Sequence, residues 1–139
     1  MSLTSTLSAS TDMLSKIVEF EKVNERFGFY WQNIDEILAQ IHSECDETKE
    51  AWLKGDKRHT QEEVGDIIHA ALCLCVFLGF DPLETLQANV QKFQTRYTAL
   101  TDLVKKDGLA DLNNQPREVL LDYWEKAKTL AYQRAALVD

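Results

Sequence analysis

The chain has 139 residues, of which 45% are hydrophobic and 27% charged, with only 5 glycines and 2 prolines. This composition excludes a disordered or low-complexity protein, and the length suits one folded domain with a single core. The formal net charge of −8 disfavours binding to a nucleic acid polymer or an anionic membrane, because such a chain repels phosphate polymers. A small phosphate compound that arrives together with a cation is still compatible with this charge.

The N-terminal stretch predicts neither export nor membrane insertion. It is rich in Ser and Thr and lacks a basic segment and a long apolar segment, so we expect residues 1–10 to form a flexible leader. The longest apolar run, Ala70–Phe80, is about half the length that a membrane span needs. The three cysteines, an odd number, fit free thiols in a reducing compartment. We therefore expect a cytoplasmic protein.

Helical signals follow one another along the chain, and no stretch alternates with the period of a strand. The first helix is predicted over Asp12–Arg26, and the second over Asn33–Lys54, where Gly55 provides the stop. A capping box at Thr60–Glu63 predicts the start of a third helix, which ends at Leu78. The first half of the chain is therefore predicted to contain three helices.

The fourth helix has the clearest start, with Asp81 as N-cap, Pro82 at the first helical position and Glu84 at the third. Its apolar residues form a heptad seam: Leu83, Leu86, Val90, Phe93, Tyr97, Leu100 and Val104. A last helix is predicted from Pro116 to about Arg134, within a C-terminal segment of residues 116–136. These elements predict an all-α fold, an antiparallel helical bundle of four to five helices in a single domain of residues 1–139. The long seam indicates that oligomerisation completes the bundle.

Two acidic pairs lie on the flank of an apolar stripe rather than on the solvent side of their helices. At about 100° per residue, Glu44 and Glu47 share one flank of the second helix, and Glu63 and Asp66 share one flank of the third. Four converging carboxylates repel one another unless a cation neutralises them, and Mg²⁺ and Mn²⁺ prefer oxygen ligands. The pattern predicts a cradle for one or two divalent cations. Two structural interpretations stay open: Glu63 as part of the capping box, and Glu47 as a solvated helix residue.

The fourth helix carries an opposing charge. Asn89, Lys92 and Arg96 cluster within about 60° on one flank of the heptad seam. Beside a metal cradle, the lysine and the arginine would suit the oxygens of a polyphosphate, the arginine through bidentate hydrogen bonds. Alternatively, they are two solvated cations on an exposed face.

Together these segments resemble a known family. Glu44-Cys45-Asp46-Glu47, fifteen further residues, Glu63-Val64-Gly65-Asp66 and the downstream segment NVQKFQTR (89–96) resemble the MazG-like branch of the all-α nucleoside triphosphate pyrophosphohydrolases. The signature of that family is ExxE, a spacer and then ExxD, often with a later K-F-x-x-R segment. Trp31 is similar to the residue at which its members enter this region. The resemblance covers about Phe29–Tyr97, roughly half of the chain.

The resemblance implies hydrolysis of a nucleoside triphosphate to a monophosphate and pyrophosphate, with Mg²⁺ or, as a substitute, Mn²⁺, in the housekeeping of nucleotide pools. It implies the metal ligands Glu44, Glu47, Glu63 and Asp66, with Glu47 and Glu63 also as catalytic candidates. The substrate-binding candidates are Asn89, Lys92, Arg96 and Trp31. A homodimer or homotetramer is implied as well. The chain departs from the pattern at Ser43, where many relatives have Glu, and the resemblance does not extend to the residues from Asp111 onward.

Two groups near this region have alternative interpretations. The aromatic residues Phe27, Phe29, Tyr30 and Trp31 either stack a base or form a plug that seals the first helix to the second. The basic residues of a predicted 53–60 loop, Lys54, Lys57, Arg58 and His59, either reach a distal phosphate or are simply solvated.

Two other classes of protein compete with this hypothesis. A di-iron carboxylate bundle uses acid-x-x-His steps, and Asp66 to His69 is one such step, although two are needed. A non-catalytic helical interaction module would carry the same carboxylates on its surface and use the heptad seam for binding.

Overall fold

The computed structural model describes residues 3–138, with side chains from residue 13 onward. Within this range the chain forms five α-helices and no strand, which confirms the all-α prediction. The helices are α1 (Leu3–Phe27), α2 (Ile34–Leu53), α3 (Lys57–Phe77), α4 (Pro82–Lys106) and α5 (Arg117–Ala136). The predicted start of the first helix at Asp12 is wrong, because α1 begins at Leu3. Ser and Thr are only moderately poorer helix formers than Ala, so a segment rich in them can continue a helix.

The chain divides into two compact units, Met1–Thr85 and Leu86–Asp139. In the first unit, α3 packs against both α1 and α2. The buried side chains of this unit include Ile37 and Ala51 of α2 and Ala70, Leu72 and Cys73 of α3. Helix α3 therefore supplies the packing surface on which the other two helices of the unit are placed.

A short connection, residues 54–56, makes α2 and α3 antiparallel neighbours. Gly55 adopts a φ of +74°, a left-handed conformation that glycine reaches without steric cost. The tight turn places the C-terminal half of α2 beside the N-terminal half of α3. The acidic pairs of the two helices are therefore brought together.

The predicted capping box at Thr60–Glu63 is wrong, because α3 begins one turn earlier, at Lys57. Asp56 is the N-cap, and its Oδ1 accepts a hydrogen bond from the backbone N–H of His59 at 3.0 Å. The hydroxyl of Thr60 donates to the backbone carbonyl of Asp56 at 2.7 Å instead of capping a helix. The predicted 53–60 loop shrinks accordingly, and Glu63 is released from any capping function.

The second unit contains most of α4 and all of α5. Small buried side chains of the two helices, Ala99, Ala127 and Ala131, form one hydrophobic cluster. Two polar contacts join them: Arg134 pairs with Asp102 at 2.8 Å, and the hydroxyl of Tyr123 donates to Asp107. The C-terminal helix is thus fixed to α4 by packing and by polar contacts.

Helix α4 begins as predicted and carries the heptad seam. The Oδ2 of Asp81 accepts a hydrogen bond from the backbone N–H of Glu84 at 2.9 Å, which is the expected N-cap geometry. At the C-terminal end of the seam, Val104 is buried. Further towards the N-terminus, Val90 and Phe93 are 55% and 56% exposed. Part of the seam is therefore open.

In the described part of the chain, no helix taken singly is both long and apolar enough to cross a membrane. Among the described residues, α3 and α4 taken together across the break between them are long and apolar enough by length and composition alone. Within the apolar run Ala70–Phe80, Ala70, Leu72 and Cys73 are buried, whereas Phe77, Leu78 and Phe80 are exposed.

Candidate metal centre and adjoining cavity

Three carboxylates of the acidic motifs converge where α2 and α3 face each other. Glu44 comes from α2, and Glu63 and Asp66 come from neighbouring turns of α3. One oxygen from each carboxylate lies within 4.8 Å of the other two. We call Glu44, Glu63 and Asp66 the carboxylate cluster.

Two oxygens of the carboxylate cluster, Glu44 Oε2 and Glu63 Oε2, are buried and have no hydrogen-bond donor. The other oxygen of each residue is held in place. The amide of Gln40 donates to Glu44 Oε1, and His59 Nε2 lies 2.9 Å from Glu63 Oε1. Neither contact was predicted from the sequence. Yet Gln40 and His59 each lie four positions before their glutamate, which is the spacing of neighbours on a helix face. The carboxylates are therefore oriented, and each keeps one oxygen without a partner.

Glu47 is exposed, as is Asp66, whereas Glu44 is buried and Glu63 is half-buried. A hydrogen bond to Glu44 and the negative charge of Glu44 raise the pKa of Glu47 from 4.5 to about 7, with smaller contributions from desolvation and from Glu63. At neutral pH and without a cation, a proton on Glu47 relieves part of the repulsion among these side chains. Glu47 is therefore coupled electrostatically to Glu44 and Glu63.

This set of oxygens fits a hard divalent cation. Mg²⁺ takes its ligands at about 2.1 Å in an octahedron, so that opposite ligands lie about 4.2 Å apart. Oxygens within 4.8 Å of one another need only small side-chain rotations to reach that arrangement. A cation would also supply the partner that the buried oxygens of Glu44 and Glu63 lack. We therefore regard the carboxylate cluster, with Glu47 beside it, as a candidate metal centre.

The raised pKa of Glu47 gives a testable pH dependence. Between its ordinary pKa of 4.5 and about 7, the folded protein binds this proton more tightly than the unfolded chain does. Raising the pH through this window therefore lowers the stability of the metal-free protein. In EDTA, Glu47→Gln should increase the midpoint of thermal unfolding relative to wild type by an amount that grows from pH 4.5 to pH 8. A difference that stays constant with pH would contradict this prediction.

Three predicted substrate-binding residues, Asn89, Lys92 and Arg96, lie on α4 in the second unit. Asn89 and Lys92 are exposed, and Arg96 is half-buried. Across the described residues, neither Lys92 nor Arg96 forms an ion pair with a carboxylate. Both cations are therefore free to bind an anion, as phosphate binding would require.

The basic residues of the predicted 53–60 loop do not form a phosphate-binding loop. Lys57, Arg58 and His59 belong to the first turn of α3. Arg58 pairs with Glu62 at 3.4 Å on the surface, whereas His59 contacts Glu63 of the carboxylate cluster. His59 thus supports a candidate metal ligand.

A cavity of about 450 Å³ opens beside the carboxylate cluster. Glu44 and Asp66 form part of its wall, and Phe29, Tyr30 and Trp31 form another part. The remaining lining residues come from α1, α2 and α3: Glu21, Asn24, Glu36, Gln40, His69, Ala70 and Cys73. The sequence analysis assigned no function to the α1 residues, because no short motif connects them to the acidic pairs.

The aromatic segment before α2 does not form the plug that one interpretation predicts. Phe27, Phe29 and Tyr30 are 86%, 75% and 62% exposed, so they do not seal α1 to α2. Trp31 is half-buried and lines the cavity. Its ring is therefore available to a ligand inside the cavity.

His69 does not join the carboxylate cluster, as a di-iron site would require. Its ring nitrogen lies instead within 4.8 Å of a Glu21 oxygen and of the Cys73 sulfur, at another part of the cavity wall. Asp66 therefore belongs to the carboxylate cluster, whereas His69 belongs to a different group of side chains. This arrangement disfavours the di-iron alternative.

Two adjacent antiparallel helices that carry ExxE and ExxD, with their carboxylates converging beside a cavity, define a class of all-α proteins with an acidic metal centre. The model of the MazG nucleotide pyrophosphohydrolase domain family matches residues 32–101 of this chain. The match includes both acidic pairs and the Lys92–Arg96 segment. The chain belongs to this family.

Individual relatives agree with this assignment. The nucleoside triphosphate pyrophosphohydrolase/pyrophosphatase MazG of Thermotoga maritima is 36% identical over 115 residues, which cover 83% of this chain and 44% of that protein. The nucleoside triphosphate pyrophosphohydrolase of Escherichia coli K12 is 24% identical over 120 residues, covering 83% of this chain and 45% of that protein. The chain therefore spans less than half the length of these curated relatives.

Proposed function

We propose that the chain is a Mg²⁺-dependent nucleoside triphosphate pyrophosphohydrolase that converts a nucleoside triphosphate and water into a nucleoside monophosphate and pyrophosphate. The observation that carries this proposal is the carboxylate cluster, which holds two buried oxygens without donors and adjoins a cavity of about 450 Å³ that Glu44 and Asp66 help to line. Membership of the MazG family and the activities for which the relatives are named support the same reaction. Removal of unwanted nucleotides from the cytoplasmic pool would be the corresponding biological function.

Different side chains would bind the metal ion and orient its ligands in this reaction. Glu44, Glu63 and Asp66 would hold Mg²⁺, and Mn²⁺ has the same preference for oxygen ligands. The bound ion would neutralise substrate charge, polarise the scissile phosphorus and lower the pKa of the attacking water. Gln40 and His59 keep Glu44 and Glu63 oriented through the contacts described above. The protein therefore contributes a prearranged set of oxygens rather than a nucleophile of its own.

Glu47 is the carboxylate best placed to accept the proton of the attacking water. It is exposed, whereas Glu44 and Glu63 are largely enclosed, so Glu47 keeps oxygen sites that face solvent. Glu63 is the second candidate for this function, because its contact with His59 provides a path for a proton. The attacking oxygen then bonds to the α-phosphorus as pyrophosphate departs.

The substrate phosphates and the nucleoside require separate partners. Lys92 and Arg96, which have no carboxylate partner among the described residues, would bind phosphate oxygens, and Asn89 would assist them. Trp31 would stack on the base inside the cavity. The chain thus offers cations for the phosphates and an aromatic surface for the base.

The test is a measurement of pyrophosphate release from a panel of nucleoside triphosphates, with Mg²⁺ or with EDTA. We expect monophosphate and pyrophosphate in equal amounts, only with the metal present. In water enriched in ¹⁸O, the label should enter the monophosphate, because the attack is at the α-phosphorus. Release of orthophosphate and a diphosphate, or turnover that persists in EDTA, would contradict the proposal.

We also propose that the chain forms a homodimer or homotetramer through the open part of the seam on α4, where Leu86, Val90, Phe93 and Tyr97 are exposed. Val90→Asp places a charge on this face and should shift the mass measured by light scattering to that of the monomer. Gln91→Asp is the matched control, because Gln91 is exposed and lies beside the seam rather than on it. An assembly that survives Val90→Asp unchanged would contradict this interface.

A further inference from the structure

The part of the cavity wall formed by α1 carries polar side chains that the reaction does not use. Glu21 of α1 accepts a hydrogen bond from the thiol of Cys73 on α3 at 3.2 Å. Cys73 is 1% exposed, and burial, with Glu21 beside it, raises the pKa of its thiol to about 12. The thiol therefore stays protonated and acts as a permanent donor. It fixes the Glu21 carboxylate at the cavity wall.

The spacing along α3 relates this carboxylate to the candidate metal centre. Asp66 and Cys73 both line the cavity and are seven residues apart on one helix. At a rise of about 1.5 Å per residue, they lie about 10 Å apart along the helix axis. That distance matches the extent of a nucleotide from its α-phosphate to the hydrogen-bonding edge of its base. A nucleotide whose α-phosphate lies at the carboxylate cluster is therefore long enough for its base to reach Glu21, which contacts Cys73.

Asn24 lies one helical turn after Glu21 on α1 and lines the same cavity. Its side-chain amide has no hydrogen-bond partner among the described residues. A carboxylate offers two acceptor oxygens, and an amide offers donors in addition to one acceptor. Glu21 can therefore offer two acceptor oxygens to a ligand in the cavity, and Asn24 can offer an amide donor; we call these two residues the α1 edge.

We propose that the α1 edge recognises guanine, so that guanine nucleotides are the preferred substrates; this inference rests on the proposed function. The Watson–Crick edge of guanine presents its amino group, the adjacent ring N–H and then the O6 carbonyl. The Glu21 carboxylate accepts from the two donors, and the Asn24 amide donates to O6. Hydrogen bonds to an ionised group are among the stronger ones in proteins.

The other bases complement the α1 edge less well. Thymine and uracil place carbonyl oxygens on both sides of their single N–H, and these oxygens would repel the Glu21 carboxylate. Hypoxanthine keeps the N–H and O6 of guanine but lacks the amino group. Adenine and cytosine offer an amino group beside an unprotonated ring nitrogen, which is an acceptor. Guanine alone among these bases presents two adjacent donors.

The experiment compares kcat/KM for dGTP, dITP, dATP, dCTP and dTTP in the wild type, in Glu21→Gln and in the control Glu19→Gln. Glu19 is exposed on the same helix and lies outside the cavity. For the wild type, we expect dGTP to exceed dTTP, and also dITP, by about tenfold or more. Glu21→Gln should reduce the preference for dGTP over dTTP about tenfold, because a carboxamide can donate to the thymine carbonyl. Glu19→Gln should leave this ratio unchanged.

Three outcomes would overturn the proposal. The first is a wild-type kcat/KM for dTTP or for dITP that equals the value for dGTP. This comparison uses the wild type alone, so it does not depend on the folding of any variant. Alternatively, Glu21→Gln would keep the wild-type preference. The third is the finding of one zinc ion per chain in the purified wild type and none in Cys73→Ser. This result would show that Glu21, His69 and Cys73 form a metal site instead of a base-binding site. Failure of the proposed function is distinguishable, because no nucleotide in the panel would then release pyrophosphate.

Discussion

Glu44→Gln and Asp66→Asn are each expected to lower pyrophosphate release at least about 100-fold while leaving the helical content near wild type. Substitution of an outer-sphere partner of a metal ligand already costs about 10–100-fold, so removal of a charged ligand should cost more. Helix formation does not depend on these charges, because the packing of α2 on α3 uses apolar residues such as Ile37, Ala51 and Leu72. Steady-state kinetics with saturating Mg²⁺ and circular dichroism are the two measurements.

Stability with and without the metal separates a lost ligand from a damaged fold. In EDTA both variants should unfold at or above the wild-type temperature, because each removes one charge from a repelling group. With Mg²⁺ at 100 times its Kd, the wild type should gain about 2.7 kcal/mol of stability, whereas the variants should gain much less. Glu50→Gln, at an exposed position of α2, is the control and should behave as wild type throughout. A variant with most of its turnover intact would remove that residue from the site.

The acidic pairs were predictable from sequence because their geometry is local. Residues three positions apart on one helix must share a flank, and the three-residue connection leaves α2 and α3 no alternative to lying side by side. A glycine at position 55 indicates that connection in the sequence, and in the structure this glycine adopts a positive φ. The convergence of Glu44 with Glu63 and Asp66 therefore follows from spacing and a turn.

The start of α3 was mispredicted because two capping signals compete within five residues. Thr60 with Glu63 fits a capping box, but Asp56 followed by a helical turn is an equally valid N-cap. The earlier start adds a turn to α3, and Lys57, Arg58 and His59 of this turn are exposed. The difference matters for the site, because it makes Glu63 an interior helix residue whose side chain is 12% exposed and belongs to the carboxylate cluster.

The cavity wall formed by α1 could not be predicted in the same way. Glu21 and Cys73 are 52 positions apart in the sequence, and their contact arises only from the packing of α1 on α3. No period or motif marks Glu21 among the neighbouring acids of α1, which have the same chemistry and face solvent. Local spacing thus predicts the candidate metal centre, whereas the cavity wall formed by α1 depends on tertiary packing.

Trp31→Ala should raise KM about 5-fold to 150-fold and change kcat much less. Stacking of a base on an aromatic side chain is worth about 1–3 kcal/mol, and it acts on the bound substrate as much as on the transition state. Trp31 is half-buried on the cavity wall, so truncation removes a stacking surface from a site where the base displaces water.

Trp52→Ala provides the matched control, since Trp52 is 65% exposed on α2 and does not line the cavity. Equal changes in KM for the two variants would contradict a specific contact between Trp31 and the base. A selective rise in KM for Trp31→Ala, combined with loss of kcat for Asp66→Asn, would show that the two ends of one cavity perform different tasks. Base binding would then depend on the segment before α2, and chemistry on the carboxylates of α2 and α3.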